Sequence, residues 1–402
     1  MAGGGPAGMM LGLLLARAGV RVLVLEKHAD FLRDFRGDTI HPSTLEVMHE
    51  LGLLEGLLGL PHQEISQFAA KVGDRDVVIA DLTHLPTRCG FIAMMPQWDF
   101  LDFLAGEARR YPGFELRMNA EVTSLIERND QIAGVRVNDE EILADLVVGA
   151  DGRHSTVRSR AGLQVDEFGV PMDVLWFRLS RRASDPEATM GRFTAGRIVV
   201  LLNRGDYWQC GYVIAKGAAE EVRRGGLPAF RVGISKVLPF LADRVAQLTD
   251  WEQIKLLTVR VDRLRQWYRP GLLCIGDAAH AMSPVAGVGI NLAIQDAVAA
   301  ANILAGPLKE NRVSIDDLRK VQKRREWPVR VTQRLQLMIQ KRLIARALQS
   351  DERFTPPLFI RMLEIFPALR RIPGRLIGLG IRPEHVKTIA ASPERAPQGT
   401  QG

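Results

Sequence analysis

The chain has 402 residues, 47% of them hydrophobic and 25% charged, with a formal net charge of +7. That composition is ordinary for a folded globular protein, and the length corresponds to roughly two or three domains. The three cysteines, Cys89, Cys210 and Cys274, show no CxxC spacing, which argues against a disulfide framework and for a reducing compartment, with the cytoplasm as the expected location. The start is Gly-rich rather than basic and then apolar, unlike a signal peptide, and no uninterrupted apolar run reaches the roughly 18 residues of a membrane span. No nucleic-acid-binding motif accompanies the positive charge.

Gly3-Gly4-Gly5-Pro6-Ala7-Gly8 fits G-x-G-x-x-G. Residues 9–18 follow as an expected helix and residues 20–25 as a β-branched strand ending at Glu26. Together these form a dinucleotide fingerprint: glycines for a tight turn and close pyrophosphate approach, then an acid about 20 residues on for the ribose hydroxyls. The fingerprint normally follows a central strand, yet only Met1-Ala2 precedes Gly3. The first strand is therefore expected to be missing, with the true start upstream.

A helix is expected over 43–51, entered at Pro42. Strands are expected over 65–82 around a Gly73-Asp74 turn, and a further apolar run over 91–95. Pro96-Gln97 opens a helix running to about Tyr111, and residues 115–127 read as two strand segments. A strand over 144–148 leads into Gly149-Ala150-Asp151-Gly152-Arg153-His154-Ser155. Strands return between 173 and 215, with Gly205-Asp206 as a hairpin turn. Residues 227–248 read as helix and 259–264 as strand.

The short apolar run 272–275 then feeds Gly276-Asp277-Ala278-Ala279-His280, continued by Ser283-Pro284, Gly287, Gly289, Asn291 and Asp296. Residues 290–304 follow at helical spacing. A strand, a Gly-containing loop and a helix start present outward N–H groups suited to a phosphate or an electron-rich ring edge. Beyond lies a helical tail that Pro328 is expected to kink or restart. Its cluster of Arg and Lys between 319 and 346 has two open readings, a solvated face or a contact with a membrane surface or second subunit. Residues 359–379 are apolar with interspersed arginines, and 391–402 read as a disordered tail.

The three blocks at Gly3–Gly8, Asp151-Gly152 and Gly276–Asp277, in this order, resemble the FAD-dependent aromatic hydroxylases of the p-hydroxybenzoate hydroxylase type. The resemblance implies an α/β fold: a Rossmann-like FAD-binding domain of three-layer ββα type, an inserted, mostly antiparallel substrate-binding sheet and a C-terminal helical tail. The expected division is 1–168 and 266–305 for FAD, 169–265 for substrate, 306–390 for the helical region and 391–402 for the tail. It further implies FAD as cofactor and NADPH or NADH as transient co-substrate. A flavin C4a-hydroperoxide would transfer oxygen from O2 to an aromatic, polycyclic or quinone-precursor ring.

The residues it assigns to FAD are Gly3, Gly5, Pro6, Ala7, Gly8, Glu26, Arg36, Gln97, Val122, Asp151, Asp277, Pro284, Gly287, Gly289, Ile290 and Asn291. Arg36 would reach the pyrophosphate, Gln97 the ribityl chain or phosphate, and Val122 the adenine. Asp277 would bond the ribityl hydroxyls, and 287–291 would meet the flavin's pyrimidine edge. Arg158 is open between a structural role and a nicotinamide phosphate contact, and His280 is expected to be structural. No protein nucleophile or metal is required. Trp176, Phe177, Phe193, Tyr207, Trp208 and Tyr212 are candidates for the pocket lining. Two other readings stay open: another FAD-dependent oxidoreductase, such as a dehydrogenase or reductase, and a flavin-binding or flavin-free regulatory or assembly protein. A homodimer is a further expectation.

Overall fold

The computed structural model describes residues 1–32, 38–72, 75–186, 190–194, 196–349 and 358–391. Its centre is a parallel array in which Phe114–Arg117 pairs with Val22–Leu25, and Val147–Gly149 with Leu272–Cys274. Between the two pairs sits Ala2, bridged in parallel to both Leu25 and Gly149. The position expected for the first strand is thus taken by this single bridging residue. Ala2 N donates to Val148 O (2.8 Å), Gly3 N to Leu25 O (2.8 Å) and Ala150 N to Ala2 O (2.8 Å), so the neighbouring ladders stay paired here. The Met1 ammonium donates to Leu23 O at 2.7 Å, and its burial lowers its pKa to about 5.

Helix Pro6–Arg17 starts with proline in its first turn, where no N–H is needed, and nearly every later residue is buried. It packs against Gly289–Lys309, which is buried over most of its length. That second helix, taken as Val285–Lys309, is long and apolar enough to cross a membrane, but it is mostly enclosed by the protein. An all-round apolar helix of this kind is a core helix when other elements cover it.

The second large element is a seven-stranded sheet, ordered Lys255–Leu257, Met172–Ser180, Tyr207–Ala215, Arg197–Asn203, Met190–Thr194, Gln67–Val72, Arg75–Asp81. All its pairings are antiparallel except Met190–Thr194 with Gln67–Val72. The sheet therefore draws two strands from the first part of the chain. Side chains alternate between its faces. Phe177, Trp208 and Tyr212 pack on the face covered by helix Gly226–Val237, so these three pocket candidates belong to a core. Trp176 and Phe193 lie on the opposite face, in a cluster with Met172, Val174, Ile198, Val213 and Val285. The helix expected over 227–248 ends at Val237 and continues as two short 3-10 turns.

In the tail, Ile315–Ile339 is one helix that runs through Pro328, so the chain does not restart there. Its start is fixed by a Ser314–Asp317 capping box, and buried residues on both sides of Pro328 hold it to the body. Tertiary packing here outweighs the lost backbone hydrogen bond. A π-helical turn, Gln340–Ile344, and a short helix, Ala345–Gln349, follow. The last described segment straps back across the cofactor half: Val386 N donates to Glu50 Oε2 (2.7 Å), Lys387 N to Asn302 Oδ1 (2.8 Å) and Ala391 N to Arg17 O (2.8 Å). Ala391 is thus held; residues 392–402 lie outside the described residues.

Candidate cofactor site

Four motif positions follow the carboxyl ends of the parallel array: Gly3 after Ala2, Glu26 after Leu25, Asp151 after Gly149, and Gly276–Asp277 after Cys274. This is the end at which open α/β sheets bind ligands. The glycines do different work there. Gly3 sits at φ +102°, and a Cβ on it would lie 2.4 Å from Ala150 O. A Cβ on Gly8 would lie 2.0 Å from Gly3 O. These two permit the turn to pack on itself. A Cβ on Gly5 would meet nothing within 4 Å, so the space beside it is open. Gly5 also caps helix Pro6–Arg17 without a side-chain bond, and the N–H groups of Ala7 and Gly8 lie in the first turn, where helix geometry leaves donors without an intrahelical acceptor.

Glu26 is nearly buried, its Oε2 accepting from Gly4 N (3.0 Å) and its Oε1 from His28 N (3.2 Å). Val122 begins a strand close by, and Ala120 N donates to Glu26 O at 2.8 Å. Gln97 is the first residue of helix Gln97–Ala108, with its N–H on Asp38 Oδ1 at 3.2 Å. Arg36 lies outside the described residues.

Asp151 turns its carboxylate inward. Oδ1 accepts from Ser155 Oγ (2.5 Å) and Oδ2 from Val157 N (3.0 Å), and burial raises its pKa. It thereby ties the motif to the start of helix Thr156–Arg160. Arg158 is committed to structure, both guanidinium nitrogens reaching Asp262 at 3.3 Å. Arg153 Nη2 lies 3.8 Å from Asp277 Oδ2, which links the second motif to the third.

The third motif is held from behind by a buried polar cluster. Asp296 Oδ2 accepts from Gly276 N (3.1 Å) and His280 Nε2 (2.5 Å), and Oδ1 from Arg325 Nε (3.0 Å). Burial pushes this carboxyl up, but His280 and Arg325 outweigh it and hold it below its ordinary range. His280 is therefore a partner of Asp296, and Arg325 of the basic tail is only 1% exposed. Arg324 and Arg325 also pair with Glu384. Part of the expected solvated basic face is thus a core ion network.

Pro284 is exposed, and Ala286 and Gly287 beyond it have φ +63° and +64°. Thr39 Oγ1 donates to Gly287 O at 2.9 Å. Gly289 and Ile290 begin the long buried helix. Asn291 Oδ1 accepts from His41 N (3.3 Å) and Thr44 Oγ1 (2.6 Å), which fixes its orientation. Its buried Nδ2 finds no acceptor among the described residues. A spare donor beside a helix start, an uncapped first helix and the open Gly5 fit a dinucleotide bearing a flavin ring.

Sequence reasoning missed Asp38, Arg204 and the tail glutamines. Arg204, on the loop between two strands of the large sheet, pairs with Asp38 and with Gln209 Oε1 (3.2 Å). Burial raises Asp38 to about 6 despite Arg204. Nothing local marks that pair, whose members are far apart in the chain. Among the described residues no group of three or more His, Cys, Asp or Glu could hold a metal.

Residues 1–334 match the family model for the FAD binding domain. The chain is 34% identical to the 6-methylpretetramide 4-monooxygenase of Streptomyces rimosus, over 85% of this chain and 83% of that protein. It is 29% identical to a probable NADH-specific resorcinol 4-hydroxylase of Rhodococcus jostii, over 73% of this chain but only 56% of that protein. Among solved structures, the anhydrotetracycline hydroxylase OxyS of Streptomyces rimosus superposes with a TM-score of 0.74 at 23% identity, covering 94% of this chain and 75% of that one. PqsL, a probable FAD-dependent monooxygenase of Pseudomonas aeruginosa, gives 0.71 at 22% identity, covering 86% and 95%. The two structures speak to the fold alone. The family match and the 34% identical relative agree with the cradle just described: this chain belongs to the FAD-dependent aromatic monooxygenases and is a flavoprotein oxidoreductase.

Proposed function

We propose that the chain hydroxylates an electron-rich aromatic, polycyclic or quinone-precursor substrate, using FAD, O2 and NADPH or NADH. The observation that carries this reading is the main-chain cradle at the carboxyl ends of the parallel array. Gly3, Gly5, Pro6, Ala7 and Gly8 would take the pyrophosphate, Glu26 the ribose, and Val122 the adenine side. Gln97 and Asp277 would take the ribityl chain, with Asp151 setting the second motif behind them and Arg36 reaching for phosphate. Pro284, Gly287, Gly289, Ile290 and Asn291 would meet the flavin ring. When bound, FAD would supply the redox chemistry that couples oxidation of the nicotinamide to oxygen transfer onto the ring.

The chain's own residues bind, orient and exclude water. Main-chain N–H groups at the start of helix Gly289–Lys309 would meet the ring edge where negative charge grows on reduction. The sheet face bearing Trp176 and Phe193, which shares an apolar cluster with Val285, would receive the substrate ring. The polycyclic compound in the name of the Streptomyces rimosus relative supports that substrate class, and the resorcinol hydroxylase supports a nicotinamide co-substrate. Cys89, Cys210 and Cys274 are free and buried, in keeping with the cytoplasm. The exposed tail face of Lys323, Trp327, Arg330 and Arg334 suits contact with a membrane or second subunit.

Isotopically labelled O2 tests the reading. A hydroxylase consumes O2 and NAD(P)H with the substrate and places one labelled atom in the product. A dehydrogenase or reductase oxidises its donor without labelling the product. A flavin-free regulatory protein shows no visible flavin band.

A further inference from the structure

The tail helix turns a row of buried glutamines onto the main chain of the cofactor half. Gln322, Gln333, Gln336 and Gln340 are each no more than 8% exposed. Gln333, Gln336 and Gln340 are spaced by three and four residues and so share one helix face. Gln333 Nε2 donates to Asp262 O (2.7 Å) and Ala281 O (3.2 Å). Gln336 grips the next stretch on both sides of Pro284: its Oε1 accepts from Ser283 N (3.2 Å), and its Nε2 donates to Ser283 O (3.1 Å) and Val285 O (2.9 Å). Gln340 Nε2 donates to Ser283 Oγ, which also accepts from Val285 N at 3.3 Å.

The gripped loop is ill suited to holding itself. Pro284 has no N–H, and Ala286 occupies the left-handed region at φ +63°, which disfavours a residue with a Cβ. An external restraint is what keeps such a conformation populated. A second observation points the same way. The π-helical turn begins at Gln340, and such turns are frequent at functional sites. Ile344, the last residue of that turn, and Ala347 just beyond it pack with Met172, Val174, Ile198 and Val213 of the seven-stranded sheet and with Val285. One tail element thus touches both the loop and the sheet.

We propose that Gln336 is a positioning residue for the flavin: it holds 284–287 in the conformation that meets the ring, with Gln340 supporting it. The proposal rests on the reading that this loop borders FAD. Gln336→Leu keeps the bulk of the side chain and removes the three hydrogen bonds. Gln322→Leu is the control: an equally buried glutamine on the same helix, bonded instead to Trp267 N and Arg265 O at 3.0 Å each.

Three readouts apply: thermal unfolding of the apoprotein, the Kd for FAD from flavin fluorescence, and the shape of the visible flavin band. Both variants should unfold earlier. Only Gln336→Leu should raise the Kd, by about tenfold or about 1.4 kcal/mol, and alter the band. Gln336→Glu keeps the acceptor for Ser283 N but loses both donated bonds, and serves if the leucine variant does not fold. It should weaken FAD in the same direction. A Gln336 variant that unfolds earlier but binds FAD with unchanged Kd and band overturns the proposal alone, as does an equal Kd change in Gln322→Leu. A wild type that takes up no FAD overturns the proposal and the functional reading beneath it.

Discussion

The cofactor half and the seven-stranded sheet with its tail obey different rules. In the cofactor half the requirements fall on main chain: a positive φ at Gly3, no room for a Cβ at Gly8, open space at Gly5. Such demands restrict the residue type at a fixed position, so they leave a motif. In the sheet and tail the requirements fall on side chains whose partners are distant in sequence, such as Arg325 with Asp296 and Glu384. These leave no local pattern. The two regions meet at the loop 281–287, where tail glutamines grip the main chain of the last motif.

The comparison can be broken by substitution, and the largest effect is expected at a self-packing glycine. Gly8→Ala puts a Cβ 2.0 Å from a backbone oxygen that cannot easily yield. We expect little folded protein, read by circular dichroism and yield. Next come the buried charges. Asp296→Asn removes the carboxylate from His280 and leaves buried Arg325 with Glu384 as its remaining anion, at a cost of about 3–5 kcal/mol in denaturant unfolding. An effect below about 1 kcal/mol would mean that the network is solvated after all.

The two sheet faces give the third test. Phe177→Ala should cost about 3–5 kcal/mol, because its fully buried ring packs against Phe230 with centroids 5.6 Å apart. Trp176→Ala, on the other face, should cost less stability and change KM for substrate more. Equal effects on stability and KM at both positions would erase the distinction between the faces.

These cases show what was legible. Many of the strands, the hairpin at Gly205 and the helix starts at Pro42 and Gln97 could be placed, because periodicity and proline act locally, whereas Gln131–Val137, Glu140–Leu143 and Val165–Phe168 went unmarked. Which face of the sheet takes Trp176 and which takes Phe177 could not, since alternation defines two faces without saying what covers either. The continuity of the tail helix through Pro328 was equally hidden, because it depends on packing from elsewhere. The strand position taken by Ala2 was hidden because one residue has no period. Of the candidate site, the glycines of the first turn could be proposed from spacing and Asp277 from the resemblance, whereas nothing local pointed to Asp38, Arg204 or Gln336.

A smaller, pH-dependent effect sharpens the contrast at the boundary between the halves. Burial raises Asp38 from 3.8 to about 6. The folded state therefore holds this proton more tightly than the unfolded chain does. Its stabilising contribution is complete below about pH 4 and is lost as pH rises toward 6, with a slope of at most about 1.4 kcal/mol per pH unit. Asp38→Asn should flatten that part of the stability profile. A profile unchanged by the substitution would place the titration elsewhere.

The central claim is that a main-chain cradle, left open at Gly5, holds FAD. Its most direct test is the FAD content of wild type and Gly5→Ala after reconstitution, read from the visible absorption spectrum beside thermal unfolding of each apoprotein. The account predicts one FAD per chain in the wild type. It predicts at least about tenfold weaker binding in Gly5→Ala, with apoprotein stability within about 0.5 kcal/mol of wild type. Equal FAD affinity in the two proteins, or a wild type without flavin bands, would contradict it.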